Sequence, residues 1–165
     1  MRETSEDLEW MRRLLDDSYA KSGAHTRSII GEDRRLDTAG VVEAMRHVRV
    51  MALATTTSRG EPRVGPVDGL LYRGRLHFGS DPGSFRFRHI RARPAVSASV
   101  IDRERLQITV HGTAHEVDPA EDPGLLACLV EEYGQAAWDR WMRELSWARI
   151  EPRRMLTFTN PPTEE

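Results

Sequence analysis

The chain changes rhythm near residue 48. Before that point apolar residues recur at helical spacing. From there to residue 118 they gather in short β-branched runs cut by turn residues. "VRVMALATTT" (48–57) reads as a strand ended by the turn chemistry of "SRGEP". "RVGPVDGLLY" (63–72) reads as a second strand, "RGR" as a tight turn and "LHFGS" (76–80) as a third. "AVSASVID" (95–102) and "LQITVHGTAHEV" (106–117) follow as a fourth and a fifth, and "RIEPRRMLTFTN" (149–160) closes as a sixth.

Helices are expected around these strands. Leu8, Met11, Leu14, Leu15 and Tyr19 predict a helix over 5–19 with Ser5 as N-cap. A polar stretch, "KSGAHTRSIIGEDRR" (21–35), leads to a short helix in "DTAGVVEAMRHV", capped at Asp37 or Thr38. Residues 84–93 read as one inserted helix stopped before Pro94. Residues 120–145 read as helical, with Leu125, Leu126, Leu129 and Tyr133 on one side, and the "PPTEE" tail as loose. Strands joined by short turns, with helices at the ends, predict an antiparallel barrel rather than a βαβ fold.

Length and charge narrow the classes. At 165 residues one domain is expected, with residues 1–47 as a helical N-terminal extension. No apolar run approaches the ~20 residues a membrane span requires. "MRETSEDLEW" shows no apolar stretch of a secretory signal, so a cytoplasmic protein is the simple expectation. The formal net charge of −2 argues against a protein that coats nucleic acid. A single cysteine, Cys128, excludes an internal disulfide framework.

Against that balance, "DPGSFRFRHIRARPAV" (81–96) stands out. Between Ser84 and Pro94 it carries four arginines and a histidine with no acid among them. If Ser84 caps a helix, its free N–H groups and positive dipole end form a ready anion site, and Arg86 can add a charged fork to a phosphate. A solvated arginine-rich face is the competing reading. Phe85 and Ile90 would face the barrel while Arg86, Arg88, Arg91 and Arg93 spread around the other sides. A basic helix touching nucleic acid is the third reading, and no DNA- or RNA-binding motif accompanies it.

Side-chain catalysis has little support. His111 and His115 share a strand face but lie roughly 13 Å apart, too far to hold one metal together. No metal site is expected, Cys128 reads as a buried thiol, and no G-x-S-x-G elbow, Walker loop or G-x-G-x-x-G is present.

The run "MALATTTSRGEPRVGPVDGLLYRGRLHFGSDPGSFRFRHIRARPAVSASV" resembles the pyridoxamine 5′-phosphate oxidase-like proteins, the FMN-binding split barrels. The likeness spans about residues 45–118 and the "RIEP" strand. It implies a mainly β fold, a six-stranded antiparallel split barrel, working as a homodimer with a flavin at the subunit interface. Residue by residue it implies that Arg63 approaches the flavin phosphate and that Val64, Pro66 and Val67 run beside the ring. Gly79 and Ser80 would end a strand near the ribityl chain, Ser84 and Arg86 would hold the phosphate, and Gln107 would meet the cofactor across the dimer. Asp68 stands where the oxidases carry a second basic residue, and their C-terminal Arg/His substrate set is not visible. The activity implied is FMN-dependent hydride transfer with a small organic substrate, with no catalytic side chain named. F420 is the alternative cofactor, and a non-catalytic flavin- or haem-binding or storage protein the alternative function. For the dimer contact, Leu8, Met11 and Leu15, together with Trp138, Trp141 and Trp147, are the expected surface.

Overall fold

The computed structural model describes residues 2–103 and 105–160; the "PPTEE" tail lies outside them. Six strands, β1 (Arg49–Thr56), β2 (Pro62–Tyr72), β3 (Arg75–Ser80), β4 (Ala95–Asp102), β5 (Leu106–Val117) and β6 (Ser146–Thr159), close into a barrel in the order β1-β2-β3-β6-β5-β4. Every neighbouring pair is antiparallel. The hairpins close through tight turns, with Arg73 and Gly74 both at positive φ between β2 and β3. β6 begins at Ser146 rather than Arg149, because Ser146, Trp147 and Ala148 already pair with Ser80, Gly79 and Phe78.

Strand alternation sends Met51, Leu53, Phe78, Ala98, Val100, Ile108, Val110 and Ile150 inward, where they form one core. Helix α4 (Phe85–Ala92), between β3 and β4, adds Phe87 and Ile90 to that core. A second apolar cluster lies outside the barrel, where α5 (Pro123–Tyr133) packs Leu125, Cys128 and Leu129 against Leu70, Tyr72 and Trp147. The region 120–145 is not one helix. Gly134, at φ 86°, breaks it into α5 and α6 (Gln135–Arg140), flanked by two 3-10 turns.

The N-terminal extension is more ordered than its polar sequence suggests. α1 (Ser5–Ala20) is capped by Thr4 rather than Ser5, since Asp7 sits at the position that completes a capping box with Thr4. Residues 24–29 form a further helix, α2, followed by a 3-10 turn over 32–34, and α3 (Thr38–Ala44) is capped by Asp37. β3 pairs with β6 only between Ser146 and Ile150. Beyond that, the extension takes over. The Ser18 hydroxyl accepts from the Met155 N–H at 2.9 Å, and the Thr157 hydroxyl accepts from the Leu36 N–H at 3.0 Å.

Candidate functional site

Ser84 caps α4, its hydroxyl accepting from the Phe87 N–H at 3.4 Å. The helix then seats Phe87 and Ile90, three residues apart, in the core, with the Phe87 ring 5.9 Å from Phe78. Phe85 does not face the interior: it is 38% exposed. Helical spacing puts it off the Phe87–Ile90 stripe, near the backbone of β2.

The four arginines of the segment have different fates. Arg86 donates from Nη2 to the Pro66 carbonyl at 2.7 Å, crossing over Gly65, while its Nε is buried without a partner. Arg88 turns back to the Gly83 carbonyl at 3.0 Å, and Arg93 reaches the Thr56 carbonyl at 3.0 Å. Arg91 is neutralised by a two-pronged pair with Glu116, both contacts 2.8 Å. Among the described residues no carboxylate lies within ion-pair distance of Arg86, Arg88 or Arg93.

Arg63 meets this cluster through β1. It stands opposite Thr55, whose hydroxyl is hydrogen-bonded to His89 Nδ1 at 2.9 Å. Desolvation first, and then the charges of Arg93, Arg88 and Arg63, hold the His89 imidazole below its ordinary range. Arg63 itself pairs with Glu61 at 2.8 Å on the exposed β1–β2 turn. The structure thus brings Arg63 to the His89 side of α4 and Arg86 to Pro66. Ser84 spends its hydroxyl on the helix cap.

The remaining candidates divide by strand parity. Val64 and Pro66 point outward, whereas Val67 stands opposite buried Met51 and packs on the core. Gln107 also points outward, its amide donating to Thr109 at 3.0 Å. Gly79 lies under Trp147, whose ring atoms would be 3.0 Å from any Cβ there, and Ser80 pairs with Ser146 at the end of β3. Asp68, the position of the missing basic residue, accepts from the Tyr133 hydroxyl at 3.0 Å. This ties α5 to β2; burial, reinforced by the Asp68 charge, pushes the Tyr133 hydroxyl's pKa up.

The outward residues make one continuous face. Pro66, Ala52, Ser99, Thr109 and Leu156 form a single cross-strand row over β2, β1, β4, β5 and β6. Val64, Val50 and Ile101 stand beside its first half, 66%, 64% and 60% exposed. Toward β5 the face turns polar, with Ser99 bonded to Thr109 at 2.9 Å and Ser97 to His111 Nδ1 at 2.7 Å. Val50 and Ile101 are not among the residues expected from the sequence, although period-two parity in β1 and β4 marks them as apolar residues on a solvent face. The surface expected for a partner copy is partly used within the chain: Met11 and Trp147 are buried in its own clusters. His115 is exposed, and among the described residues no group of three potential ligands converges on a metal position.

A closed six-stranded antiparallel barrel with a cation-rich helix laid from its rim onto β2 defines the class of the molecule. Residues 38–160 match the family described as pyridoxamine 5′-phosphate oxidase, and the protein belongs to that family. Members typically bind FMN or F420, and some bind haem instead. Among curated proteins none matches. A conserved hypothetical protein of Mycobacterium tuberculosis shares the fold at TM-score 0.67 and 20% identity, over 82% of this chain and 95% of that one. An FAD-binding protein from Mesorhizobium loti aligns at TM-score 0.58 and 20% identity over 75% and 93% of the two chains. The haem storage protein HutZ of Vibrio cholerae aligns at 0.60 and 18% over 72% and 91%. Among the described residues no helix is long and apolar enough to cross a membrane.

Proposed function

We propose that this protein is an oxidoreductase that holds FMN, or the deazaflavin F420 in its place, against the β2 side of the barrel between two copies of the chain. The observation that carries the reading is Arg86. Its guanidinium is fixed on the Pro66 carbonyl, its buried Nε lacks an acceptor, and the same segment carries Arg88 and Arg93, which have no carboxylate partner among the described residues. A chain of net charge −2 gathers uncompensated positive charge at this rim, and a phosphate monoester is the ligand chemistry that matches it. Arg63 and Arg86 would take the phosphate, and the Val64–Val67 backbone would lie along the ring. The exposed apolar face of Val50, Val64 and Ile101 would be covered by the second copy. When bound, the cofactor supplies hydride transfer; the chain supplies positioning, charge and exclusion of water.

The decisive experiment is the absorption spectrum of the protein as purified, with mass spectrometry of any released ligand, followed by titration with FMN, F420 and haem. Saturable FMN or F420 binding that Arg86→Ala weakens supports the reading. Haem binding alone, or a flavin affinity indifferent to Arg86, overturns it. Anaerobic reduction of the loaded protein and reoxidation by quinone or enone acceptors then separates enzyme from carrier. Reoxidation at the free-cofactor rate with every acceptor assigns it as a carrier.

A further inference from the structure

We infer that the crevice between α1, residues 30–38 and β6 is a second small-molecule site, taking a flat, conjugated ligand that carries no negative charge. The crevice encloses about 380 Å³, within the range of small-molecule pockets. Leu156 forms its floor, and Leu15, Tyr19, Ile30 and Leu36 its half-buried apolar walls. The Arg35 guanidinium stacks on the Tyr19 ring 3.7 Å from its centroid, making a planar platform on one side.

The charges around the opening decide the ligand class. Arg12 is paired with Asp16 at 2.9 Å and Arg35 with Glu32 at 3.3 Å, while Asp37 accepts from the Gly40 N–H at 2.7 Å. Among the described residues both cations at the rim, Arg12 and Arg35, already have carboxylate partners, so an anionic ligand would lose hydration without compensation. A neutral aromatic ring loses little and gains the apolar floor. The walls are tied in place before any ligand arrives. The Thr157 hydroxyl accepts from the Leu36 N–H at 3.0 Å and donates to the Leu36 carbonyl at 3.4 Å, while Ser18 holds Met155. Preformed walls lower the ordering cost of binding. This site does not rest on the flavin reading, which concerns β1, β2 and α4.

The test uses the purified full-length chain and 1-naphthol, followed by amide chemical shifts. The expected result is saturable binding with Kd of ~1 mM or tighter, with shifts at Leu15, Tyr19 and Leu156. Tyr19→Ala should weaken binding at least about fivefold, and 1-naphthalenesulfonate should bind at least about fivefold more weakly than 1-naphthol. Ile30→Trp, which fills the crevice from a surface segment, should abolish it and checks the result if Tyr19→Ala disturbs α1. Absence of saturation, equal binding of the sulfonate, or shifts confined to Val64 and Ile101 would each overturn the inference. Because no cofactor is involved, failure here leaves the flavin reading untouched, and the reverse also holds.

Discussion

The Arg86 side chain reaches from the second residue of α4 to the carbonyl of Pro66, 2.7 Å away, and passes over the bare Cα of Gly65 to do so. This one contact links the helix that carries the cations to the strand proposed for the ring. It also distinguishes the arginines. If the phosphate reading holds, Arg86→Ala lowers FMN or F420 affinity by about 2–4 kcal/mol, the cost of removing a partly buried charged partner. Arg91→Ala leaves affinity nearly unchanged, since Glu116 already neutralises Arg91. Equilibrium titrations of both variants, compared at one salt concentration, check this.

Gly65 supplies the second prediction. A Cβ there would stand 2.8 Å from Arg86 Nη2. Gly65→Val therefore displaces the guanidinium without removing any charge. Cofactor affinity should fall at least about tenfold while the melting temperature changes little, because the displaced group is a flexible side-chain end. Retained affinity would show that the fixed position of Arg86 is irrelevant to binding.

The exposed face offers a third. Val64 and Ile101 are 66% and 60% exposed in the single chain and lie on β2 and β4, the two strands that flank β1. If two copies meet at this face as proposed, the double variant Val64→Lys, Ile101→Lys places four like charges between them and should yield a folded monomer by light scattering. A dimer of unchanged stability would place the subunit contact elsewhere.

His77 gives a pH prediction. Burial, with further help from the Arg149 and Arg75 charges, lowers its pKa to about 4, against the opposing pull of the Arg75 carbonyl on Nδ1. The unfolded chain takes up a proton at this residue below about 6.5, whereas the folded chain resists until about 4. Stability should therefore fall as pH drops from 6.5 to 4, by on the order of 3 kcal/mol from this group. His77→Gln should flatten the urea midpoint over that interval, and an unchanged slope would count against the assignment.

Gly112 marks where β5 and β6 slip register. A Cβ there would meet the Glu151 carbonyl oxygen at 2.2 Å, a backbone atom that has no room to yield. Gly112→Ala should cost about 3 kcal/mol or more in chemical denaturation, with loss of cooperative unfolding if the register shifts instead.

The strands were legible because their chemistry is local. The β4 and β5 boundaries fall where β-branched runs meet turn residues, at 95–102 and 106–117. The helical insertion at 85–92 was equally plain from Ser84 and Pro94. What escaped depends on partners distant in sequence. Nothing near Phe85 says that Phe87 finds Phe78, and nothing near Arg91 announces Glu116, twenty-five residues on. Thr4 rather than Ser5 caps α1 because Asp7, three residues on, completes a capping box, a spacing visible in the sequence itself. The candidate site was half legible. Residue types and order pointed to an anion at α4, but the division of Val64, Pro66 and Val67 between two faces follows from β2 pairing with β1.

Past Ile150, among the described residues, β6 has no strand on one side; Ser18 of α1 and Leu36, in the segment before α3, stand there instead. The matched family segment begins at residue 38, so the groups that satisfy this edge come from outside it. An exposed strand edge is a template for another chain. In this molecule Ser18 and Leu36 therefore cover a strand edge that the family segment alone would leave open to pairing, so a barrel cut at residue 38 would expose backbone that the whole chain hides.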